Sequence, residues 1–563
     1  MRTDENEFDV IIVGAGPVGL SAAIELGRRR VRCLVIERND RVGYSPRAKT
    51  TNVRTREHLR RWGLADALRD ASPISPDRPA TVVFATRMNG PLLARFENAM
   101  NASKVRNNLY SEEAQWVPQY ILEDVLRRYA QSLPGVTIRF KTEFVSVTDN
   151  GNQVAVTIRD LDSGKTYEQI ASYLIGADGA RSAVREAIGA TMTGMGSYSQ
   201  NYSVIFRAPD LAARNIHEPA LMYWMVNSDV PSLLGPMDES GLWFFMATKL
   251  AGDVDPATID PAELIRRGTG LSDLDIEVIG TDPWVAHRLV ADRYAKGRIF
   301  LAGDACHLHP PFGGFGMNMG IGDAVDLGWK MAACLGGWGG SELLASYEQE
   351  RRKVHVRTIA EAVTNFESTS NQLVQPALEE PGAVGDATRR EVSEIILATK
   401  VREFRTLGVV LGMRYEDSPI VVDDGSAPPK DHFMLYLPSA HPGCLAPHLW
   451  LADGSSLYDH FGEGFTLLMA DGNASDADAF LAKAKALGVP VKFLTLSDDR
   501  LRGRYEARFT LIRPDQHVAW RGDALPADAD KLIATVTGAP NTEPRQSASG
   551  SPRAKEAELQ NSV

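Results

Sequence analysis

Three glycines near the start of the chain have the spacing of a dinucleotide-binding turn. Gly14, Gly16 and Gly19 follow directly on the apolar run 8–13, and Glu37 comes after a second apolar run. Glycine at these positions allows a tight turn, close approach of backbone N–H groups to a pyrophosphate, and close packing of the following helix. Glu37 can accept a hydrogen bond from a ribose hydroxyl. The pattern predicts a βαβ unit that holds the adenosine end of a nucleotide; a glycine-rich turn without ligand is the alternative.

Two later turns each place a carboxylate after an apolar, strand-like run. One is Asp178-Gly179 and the other is Gly303-Asp304. A carboxylate at the carboxyl end of a buried strand stands where open α/β sheets bind their ligands. Asp304 is therefore placed to accept a hydrogen bond from a ribityl or ribose hydroxyl. Two tight turns with no ligand would be the simpler reading, but three nucleotide-type turns in this order favour a cofactor.

The glycine-rich loop that follows Pro310-Pro311 indicates which cofactor. The glycines within 313–316 leave backbone amides uncovered, and a helix begins near Met317. Such amides can hydrogen-bond the polar edge of an isoalloxazine ring and stabilise charge on it, and the helix N-terminus adds to the same field. The three turns and this loop together predict FAD rather than NAD as the resident cofactor.

Composition and charge exclude several other classes. The chain has 563 residues, a net charge of −11 and 44% hydrophobic residues. The acidic balance argues against nucleic acid or an anionic membrane as a partner. No apolar run approaches the length needed to span a bilayer, and the acidic first residues differ from a signal peptide, so we expect a cytoplasmic protein. Four widely spaced cysteines without a CxxC pair argue against disulfides and a metal site.

The pattern along the chain predicts three domains and a tail. We expect a discontinuous nucleotide-binding domain, an antiparallel sheet inserted into it, a separate C-terminal domain and a disordered end. Their expected ranges are 1–80, 100–200 and 290–412 for the first, 80–100 and 200–290 for the sheet, 415–540 for the third, and 541–563 for the tail.

With these motifs in place, the chain resembles the FAD-dependent aromatic hydroxylases, the flavoprotein monooxygenases of the para-hydroxybenzoate hydroxylase type. The resemblance covers about residues 1–400 and is nearest to the phenol and hydroxyphenyl hydroxylase branch. Residues 415–540 resemble that branch's thioredoxin-like C-terminal domain, where the lack of CxxC leaves packing or dimerisation as the role. The implied fold is α/β, with a Rossmann-type FAD-binding domain, an inserted antiparallel-sheet substrate domain and a thioredoxin-like α/β domain.

The resemblance also implies which residues contact the cofactor. FAD would be non-covalent and would bind the first βαβ unit through its adenosine half. NAD(P)H, with NADPH favoured, would bind only transiently, because the chain has a single dinucleotide-binding turn. A surface ion pair for Arg47 and a helix cap for Gln119 are the alternatives. The implied cofactor residues are Gly14, Gly16, Gly19, Glu37, Arg38, Arg47, Gln119, Asp178, Arg181, Gly303, Asp304, Gly314, Gly316, Met317 and Asn318.

The family reaction implies an activated phenolic substrate. Reduced flavin adds O2 to form a C4a-hydroperoxide, which transfers OH to an electron-rich ring. Ionising a phenol at pH 7 costs about 4 kcal/mol, so a cation or base near the ring would help. Lys49 could supply the charge, and His307 or His309 the base; structural histidines and a Lys49–carboxylate pair are the alternatives. Pro310 and Pro311 would bring backbone carbonyls near the flavin edge.

Aromatic residues on the inserted sheet predict an apolar pocket for a phenol or a larger polyketide-like ring. The sheet residues considered are Met222, Tyr223, Trp224, Trp243, Phe244 and Phe245. Tyr223, Trp224, Trp243 and Phe245 are the pocket candidates, together with Phe315 of the glycine loop. Side chains alternate along a strand, so about half of the sheet residues can face one side. Phe315 replaces a common glutamine, and Lys49 stands where the phenol hydroxylases often have histidine. Because both residues should lie near the flavin or the substrate, these two departures leave the identity of the substrate undetermined.

Three other readings remain at this stage. The same fold could serve an FAD-dependent reductase or dehydrogenase, or a non-catalytic flavin-binding paralogue. A flavin-dependent halogenase is disfavoured because the chain has no WxWxIP segment. The C-terminal domain makes a homodimer plausible, and small aromatic substrate, O2 and NAD(P)H are the expected partners.

Overall fold

A computed structural model describes residues 8–40, 48–248, 254–367, 370–496 and 498–539. Arg47 and the expected tail 541–563 lie outside these residues. None of the helices in the described part has the length and apolar character that a membrane crossing requires.

The strands alternate with helices in the first 200 residues and dominate the middle of the chain. The described strands are β1 (Val10–Val13), β2 (Cys33–Ile36), β3 (Thr50–Thr51), β4 (Val82–Ala85), β5 (Leu92–Phe96), β6 (Gln115–Trp116), β7 (Val136–Arg139), β8 (Thr142–Asp149), β9 (Val154–Asp160), β10 (Thr166–Ala171), β11 (Tyr173–Gly176), β12 (Met192–Arg207), β13 (Met222–Met225), β14 (Ser232–Pro236), β15 (Leu242–Ala247), β16 (Glu277–Ala291), β17 (Ala295–Lys296), β18 (Ile299–Leu301), β19 (His307–Leu308), β20 (Phe465–Met469), β21 (Val491–Thr495), β22 (Phe509–Ile512) and β23 (Val518–Gly522).

The described helices are concentrated in the first 132 residues and between residues 316 and 410. The described helices are α1 (Pro17–Arg28), α2 (Val53–Trp62), α3 (Ala65–Asp70), α4 (Gln119–Ser132), α5 (Ala183–Ala187), α6 (Leu211–Arg214), α7 (Pro261–Thr269), α8 (Gly316–Leu335), α9 (Ser341–Glu367), α10 (Ser370–Leu373), α11 (Gly382–Thr399), α12 (Val401–Phe404), α13 (Leu407–Val410), α14 (Asp478–Ala486), α15 (Arg500–Tyr505) and α16 (Ala529–Val536).

A six-stranded sheet with the order β17-β18-β11-β1-β2-β7 forms the first domain. Its strands from β18 to β7 pair in parallel. Strands β1, β2 and β18 are apolar and fully buried, as expected for a parallel sheet that is covered on both faces. Helices α1, α4 and α8 and the three-stranded sheet β10-β9-β8 share its apolar cluster. The carboxyl ends of β1, β11 and β18 therefore meet at one edge, and each of the three predicted cofactor turns begins there.

An eight-stranded sheet with the order β19-β16-β12-β15-β14-β13-β4-β5 forms the middle domain. All its pairs are antiparallel except β13 with β4. Both faces are apolar, and alternate residues of one strand join different clusters. Together with the first sheet, this confirms the predicted α/β fold with an inserted antiparallel sheet.

The C-terminal domain is a four-stranded mixed sheet, β21-β20-β22-β23, with α14 and α16 in one apolar cluster and α15 in another. This confirms the predicted thioredoxin-like α/β domain. It joins the first domain through buried charges. Arg513, at the end of β22, bonds to Glu350 on α9 at 2.6 Å and to Asp326 on α8 at 2.9 Å. Lys330 bonds to the same two carboxylates at 2.6 and 2.8 Å.

Candidate active site

The first glycine turn is shaped to leave space beside α1. Gly14 has φ +103°, and a Cβ there would overlap the Ala177 carbonyl. A Cβ on Gly19 would overlap the Gly14 carbonyl, so glycine is needed for this close packing. At Gly16, by contrast, a Cβ would meet no atom within 4 Å. The turn thus combines tight packing with an open side at the helix N-terminus, which fits a pyrophosphate.

Glu37 lies at the end of β2, beside this turn. Its Oε2 accepts a hydrogen bond from Ala15 N at 3.0 Å, and its Oε1 accepts from Asn39 N at 2.9 Å. The carboxylate therefore helps to hold the turn in place and remains partly exposed at its edge. Arg38 follows as an exposed side chain.

The Asp178-Gly179 turn is organised by its own aspartate. The Asp178 carboxylate accepts hydrogen bonds from the Ser182 hydroxyl at 2.5 Å and from Val184 N at 3.1 Å, at the start of α5. Burial raises the pKa of Asp178. Arg181 is largely exposed. Sequence reasoning missed Arg185, which donates to Ala305 O at 3.0 Å and so connects this turn to the Gly303-Asp304 turn.

The Gly303-Asp304 turn packs on the same helix end as the first turn. Gly303 has φ +65°, and a Cβ there would lie 2.8 Å from Val18 of α1. A Cβ on Gly320 of α8 would lie 2.6 Å from the same valine. The first turns of α1 and α8 and the Gly303-Asp304 turn therefore meet around one side chain. The structure brings together motifs that lie almost 300 residues apart.

The glycine loop before α8 is fixed by the side chain of Asn318. Its Oδ1 accepts from Asn52 N at 2.9 Å, and its Nδ2 donates to Thr50 O at 2.9 Å and to Gly314 O at 2.7 Å. The predicted contact of Asn318 with the cofactor would thus come from its backbone. Gly313 and Gly314 have φ of +88° and +66°, and Gly314 N donates to Pro311 O at 3.1 Å. The amides of this segment that a helix leaves without an internal partner are those at the start of α8. Gly316 and Met317 form the partly exposed first turn of α8.

His309 presents a buried acceptor beside this loop. Its Nδ1 lies 2.9 Å from Pro310 O and so carries the proton, while its Nε2 has no hydrogen-bond partner among the described residues. The ring lies 3.4 Å from the position of a Cβ on Gly316. Burial lowers the pKa of His309 to about 4, so the ring is neutral at pH 7. An orphaned acceptor here and the open space at Gly16 both fit an extended cofactor such as FAD.

Lys49 connects the glycine loop to the aromatic sheet. It precedes β3, whose Thr50 carbonyl is bonded to Asn318, and its Nζ lies 4.0 Å from the centre of the Phe244 ring on β15. No carboxylate of the described residues lies within ion-pair distance of it. Burial lowers the pKa of Lys49 to about 8. Within the described part of the chain, the side chain is therefore a cation whose neighbour is an aromatic ring and not a carboxylate.

Gln119 positions the segment that carries Lys49. Its Oε1 accepts from Ala48 N at 3.0 Å, its backbone N donates to Ala48 O at 3.1 Å, and its Nε2 donates to Glu123 at 2.7 Å. Burial raises the pKa of Glu123 to about 7. These contacts make Gln119 a support for the backbone immediately after Arg47 rather than a simple helix cap.

His307 lies behind the loop. Its ring is buried and its Nε2 lies 3.0 Å from the carboxylate of Asp323 on α8. Its Nδ1 is buried without a hydrogen-bond partner among the described residues, and the role of His307 as a base stays a prediction. Pro310 is buried and Pro311 is exposed.

One face of the eight-stranded sheet is directed at the glycine loop. Phe312 of the loop packs against Trp224 on β13, with ring centres 5.9 Å apart. Phe244 lies on the same face and contacts Trp116 at 6.0 Å. Of the predicted pocket residues on the sheet, Trp224 alone is in this cluster.

Tyr223, Trp243 and Phe245 lie on the opposite face, in the cluster covered by α7. Alternation along the strands turns them away from Phe312, so they do not line a pocket on that side. Phe244, which lies between Trp243 and Phe245 in the strand, is the residue of this run that faces Lys49 and the glycine loop. Phe315 is buried in a further cluster with Val53 and Tyr415, under the glycine loop.

Comparisons with known proteins agree with this geometry. A family model described as an FAD binding domain matches residues 7–362, and one described as the C-terminal region of aromatic-ring hydroxylases matches 439–540. The chain is 34% identical to tetracenomycin B2 monooxygenase-dioxygenase of Streptomyces olivaceus, over 94% of this chain and 98% of that protein. It is 30% identical to 2,4-dichlorophenol 6-monooxygenase of Cupriavidus pinatubonensis, over 93% and 94%.

Solved structures give the same result over the full length. The rebeccamycin biosynthetic enzyme RebC with reduced flavin has a TM-score of 0.87 and 35% identity, and covers 95% of this chain and 99% of its own. Aklavinone-11 hydroxylase with FAD and aklavinone has a TM-score of 0.80 and 30% identity, and covers 96% and 100%. Because the three cofactor turns, both family models and full-length relatives agree, this chain belongs to the FAD-dependent aromatic-ring hydroxylases.

Proposed function

We propose that this enzyme is a single-component monooxygenase that hydroxylates a phenolic or polyketide-like aromatic substrate with FAD, NAD(P)H and O2. The observation that carries the proposal is the meeting of three features in one place. Asn318, Lys49 and Phe312 hold together the glycine loop at the start of α8, a lysine that has no carboxylate partner among the described residues, and an aromatic sheet face. The names of the relatives, which include chlorophenol and tetracenomycin monooxygenases, support an aromatic substrate.

In this proposal, different groups of residues bind different parts of FAD. The turn at Gly14, Gly16 and Gly19 binds the pyrophosphate, Gly303 and Asp304 bind the ribityl and ribose hydroxyls, and the backbone of 314–318 binds the ring edge. FAD, when bound, supplies electron transfer and oxygen activation, which side chains cannot perform. The protein's own part is to bind, to orient the ring against the sheet and to exclude water.

Lys49 has a defined electrostatic task. Ionising a phenol at pH 7 costs about 4 kcal/mol. A unit positive charge 4 Å from the phenolate oxygen, at an effective dielectric constant of 20, contributes about 4 kcal/mol. With a pKa of about 8, the Lys49 ammonium is mostly protonated at pH 7. It can therefore offset most of that cost, and the Phe244 ring beneath it keeps it in position.

The test is a screen of phenols and polycyclic phenols against the FAD-loaded enzyme. We expect substrate-stimulated oxidation of NADPH, faster than of NADH, and a product heavier by one oxygen atom. Peroxide as the sole product would indicate a poor substrate analogue, so the screen should include ring systems of increasing size. Reduction of an acceptor with no oxygen insertion from any compound would instead support the reductase reading and refute this proposal.

The proposal extends to a homodimer, with dimerisation as a role of the C-terminal domain. Light scattering on the purified FAD-loaded protein measures the mass directly. A mass of one chain at micromolar concentration would contradict it.

A further inference from the structure

One carboxylate lies at the centre of the buried groups beneath the cofactor turn. Asp323 of α8 is fully buried and meets four partners. Its Oδ2 accepts hydrogen bonds from Gly303 N at 3.0 Å and from His307 Nε2 at 3.0 Å. Its Oδ1 accepts from Arg351 Nε at 2.8 Å and lies 2.8 Å from His355 Nε2.

The two oxygens of Asp323 face different parts of the molecule. Oδ2 holds both ends of the five-residue turn 303–307, from which Asp304 projects. Oδ1 faces α9, where Arg351 also donates to Met319 O at 3.1 Å, in the first turn of α8. A single side chain therefore connects the Gly303-Asp304 turn to the helix that follows the glycine loop.

The charge state of this cluster is well defined. Burial alone would raise the pKa of Asp323, but His355, Arg351 and the hydrogen bonds from the two histidines hold it well below its usual value. The carboxylate is thus ionised at neutral pH, and it accepts hydrogen bonds from Gly303, His307 and Arg351. The hydroxyl of Tyr294 lies 2.8 Å from His355 Nδ1, which leaves Nε2 of that ring to face Asp323. Three donors on one buried acceptor restrict the positions that the groups of this cluster can adopt.

We propose that Asp323 is a positioning residue for the cofactor, which sets the shape of the turn 303–307 through Gly303 and His307 without touching FAD itself. This proposal rests on the assignment of that turn to FAD. A backbone N–H and an imidazole bonded to one buried carboxylate have little freedom, because charge-assisted hydrogen bonds are short and strong. Loss of the charge would free both ends of the turn and misplace Asp304.

The first experiment compares two buried carboxylates of the same helix. Asp323→Asn removes the charge beneath the turn, and Asp326→Asn removes a carboxylate three residues on, which bonds to Lys330 and Arg513. The FAD dissociation constant is measured by titrating the FAD-free protein and following flavin fluorescence, and thermal unfolding of both variants is measured in parallel. We expect the dissociation constant to rise about 10- to 100-fold for Asp323→Asn and less than threefold for Asp326→Asn.

Equal changes in FAD affinity for the two variants would overturn the proposal, because a merely structural carboxylate would act through general stability. An unchanged dissociation constant in Asp323→Asn would overturn it as well. The measurement uses neither substrate nor NADPH. Failure to hydroxylate any phenol would therefore refute the proposed function and leave this result untouched.

A second pair of variants decides the question if Asp323→Asn fails to fold. In His307→Gln, the side-chain amide nitrogen can reach the position of Nε2 and keep the hydrogen bond to Asp323. In His307→Asn, the side chain is too short for its amide nitrogen to reach that position. We expect FAD affinity within about threefold of wild type for His307→Gln and a loss of about tenfold for His307→Asn. The same affinity in both would show that the His307–Asp323 bond does not position the turn.

Discussion

Replacement of Lys49 by methionine should make the protein more stable and the reaction slower. The side chain lies 4.0 Å from the Phe244 ring and has no carboxylate partner among the described residues. Methionine has a similar length and an apolar end, so it fills the same space. Separate measurements of stability and catalysis then report the two consequences of removing a buried charge.

The effect on stability follows from the pKa of Lys49, which burial lowers from 10.5 to about 8. Between pH 8 and 10.5 the unfolded chain binds more protons than the folded one, so stability rises with pH in that window. At pH 7 the buried ammonium costs up to about 3 kcal/mol. Lys49→Met removes this cost, and we expect a higher midpoint of thermal unfolding.

The effect on catalysis follows from the loss of the positive charge that stabilises the phenolate of the substrate. If Lys49 contributes about 2–4 kcal/mol to a developing phenolate, its removal lowers kcat/KM for a phenol about 30- to 1000-fold. In the wild type, the ammonium loses its proton as the pH rises through about 8, so kcat/KM should fall there for phenols of high pKa. The fall should be absent in Lys49→Met.

The assay is steady-state NADPH oxidation coupled to product analysis, with phenols of different pKa across pH 6–10. Lys353→Met is the matched control, because Lys353 is an exposed lysine that pairs with Asp417. A Lys49→Met enzyme with wild-type kcat/KM and the same pH profile would refute the reasoning, even if it were more stable. Loss of both stability and activity would show that Lys49 has a partner that stabilises its charge.

Three further predictions test other parts of the site. Asp304→Ala should lower the ratio of flavin to protein absorbance of the purified enzyme; full occupancy with unchanged activity would contradict its assignment. Trp224→Leu should raise the KM of the aromatic substrate about tenfold, while Trp243→Leu on the opposite sheet face should change stability alone; equal KM values would show that neither face binds substrate. Arg513→Met should reduce the free energy of unfolding by about 3–5 kcal/mol in thermal or urea unfolding, because it leaves buried carboxylates short of a cation; a change below about 1 kcal/mol would mean that water enters the cluster.

The cofactor turns could be predicted from the sequence because their chemistry is local. Gly14 and Gly303 are required by a positive φ, and Gly19 by its close contact with the carbonyl of Gly14, five residues earlier. A motif of this kind is visible in any chain that contains it. The α/β fold and the inserted antiparallel sheet follow from apolar runs of the appropriate length and period, and these predictions are confirmed.

The sheet face that packs against the glycine loop could not be predicted in the same way. A shift of one residue in strand register exchanges the two faces, and the run 222–225 is apolar throughout. The sequence therefore does not distinguish Trp224 from Tyr223, although their side chains lie on opposite faces of the sheet. The roles of Asp323 and Arg185 were also invisible, because their partners lie up to 120 residues away and neither residue belongs to a glycine turn. The contacts proposed for the cofactor residues, and the domain bounds, stay predictions.

The buried charges around Arg513 mean that the C-terminal domain is not an interchangeable module. Without β22, Lys330 would face Glu350 and Asp326 alone, with two carboxylates sharing one ammonium in a dry interior. A chain shortened before residue 439 would carry this imbalance inside its remaining core, so it should not fold as an independent flavoprotein. Recombination between relatives would then succeed only where β22 and the two helices that face it are inherited together.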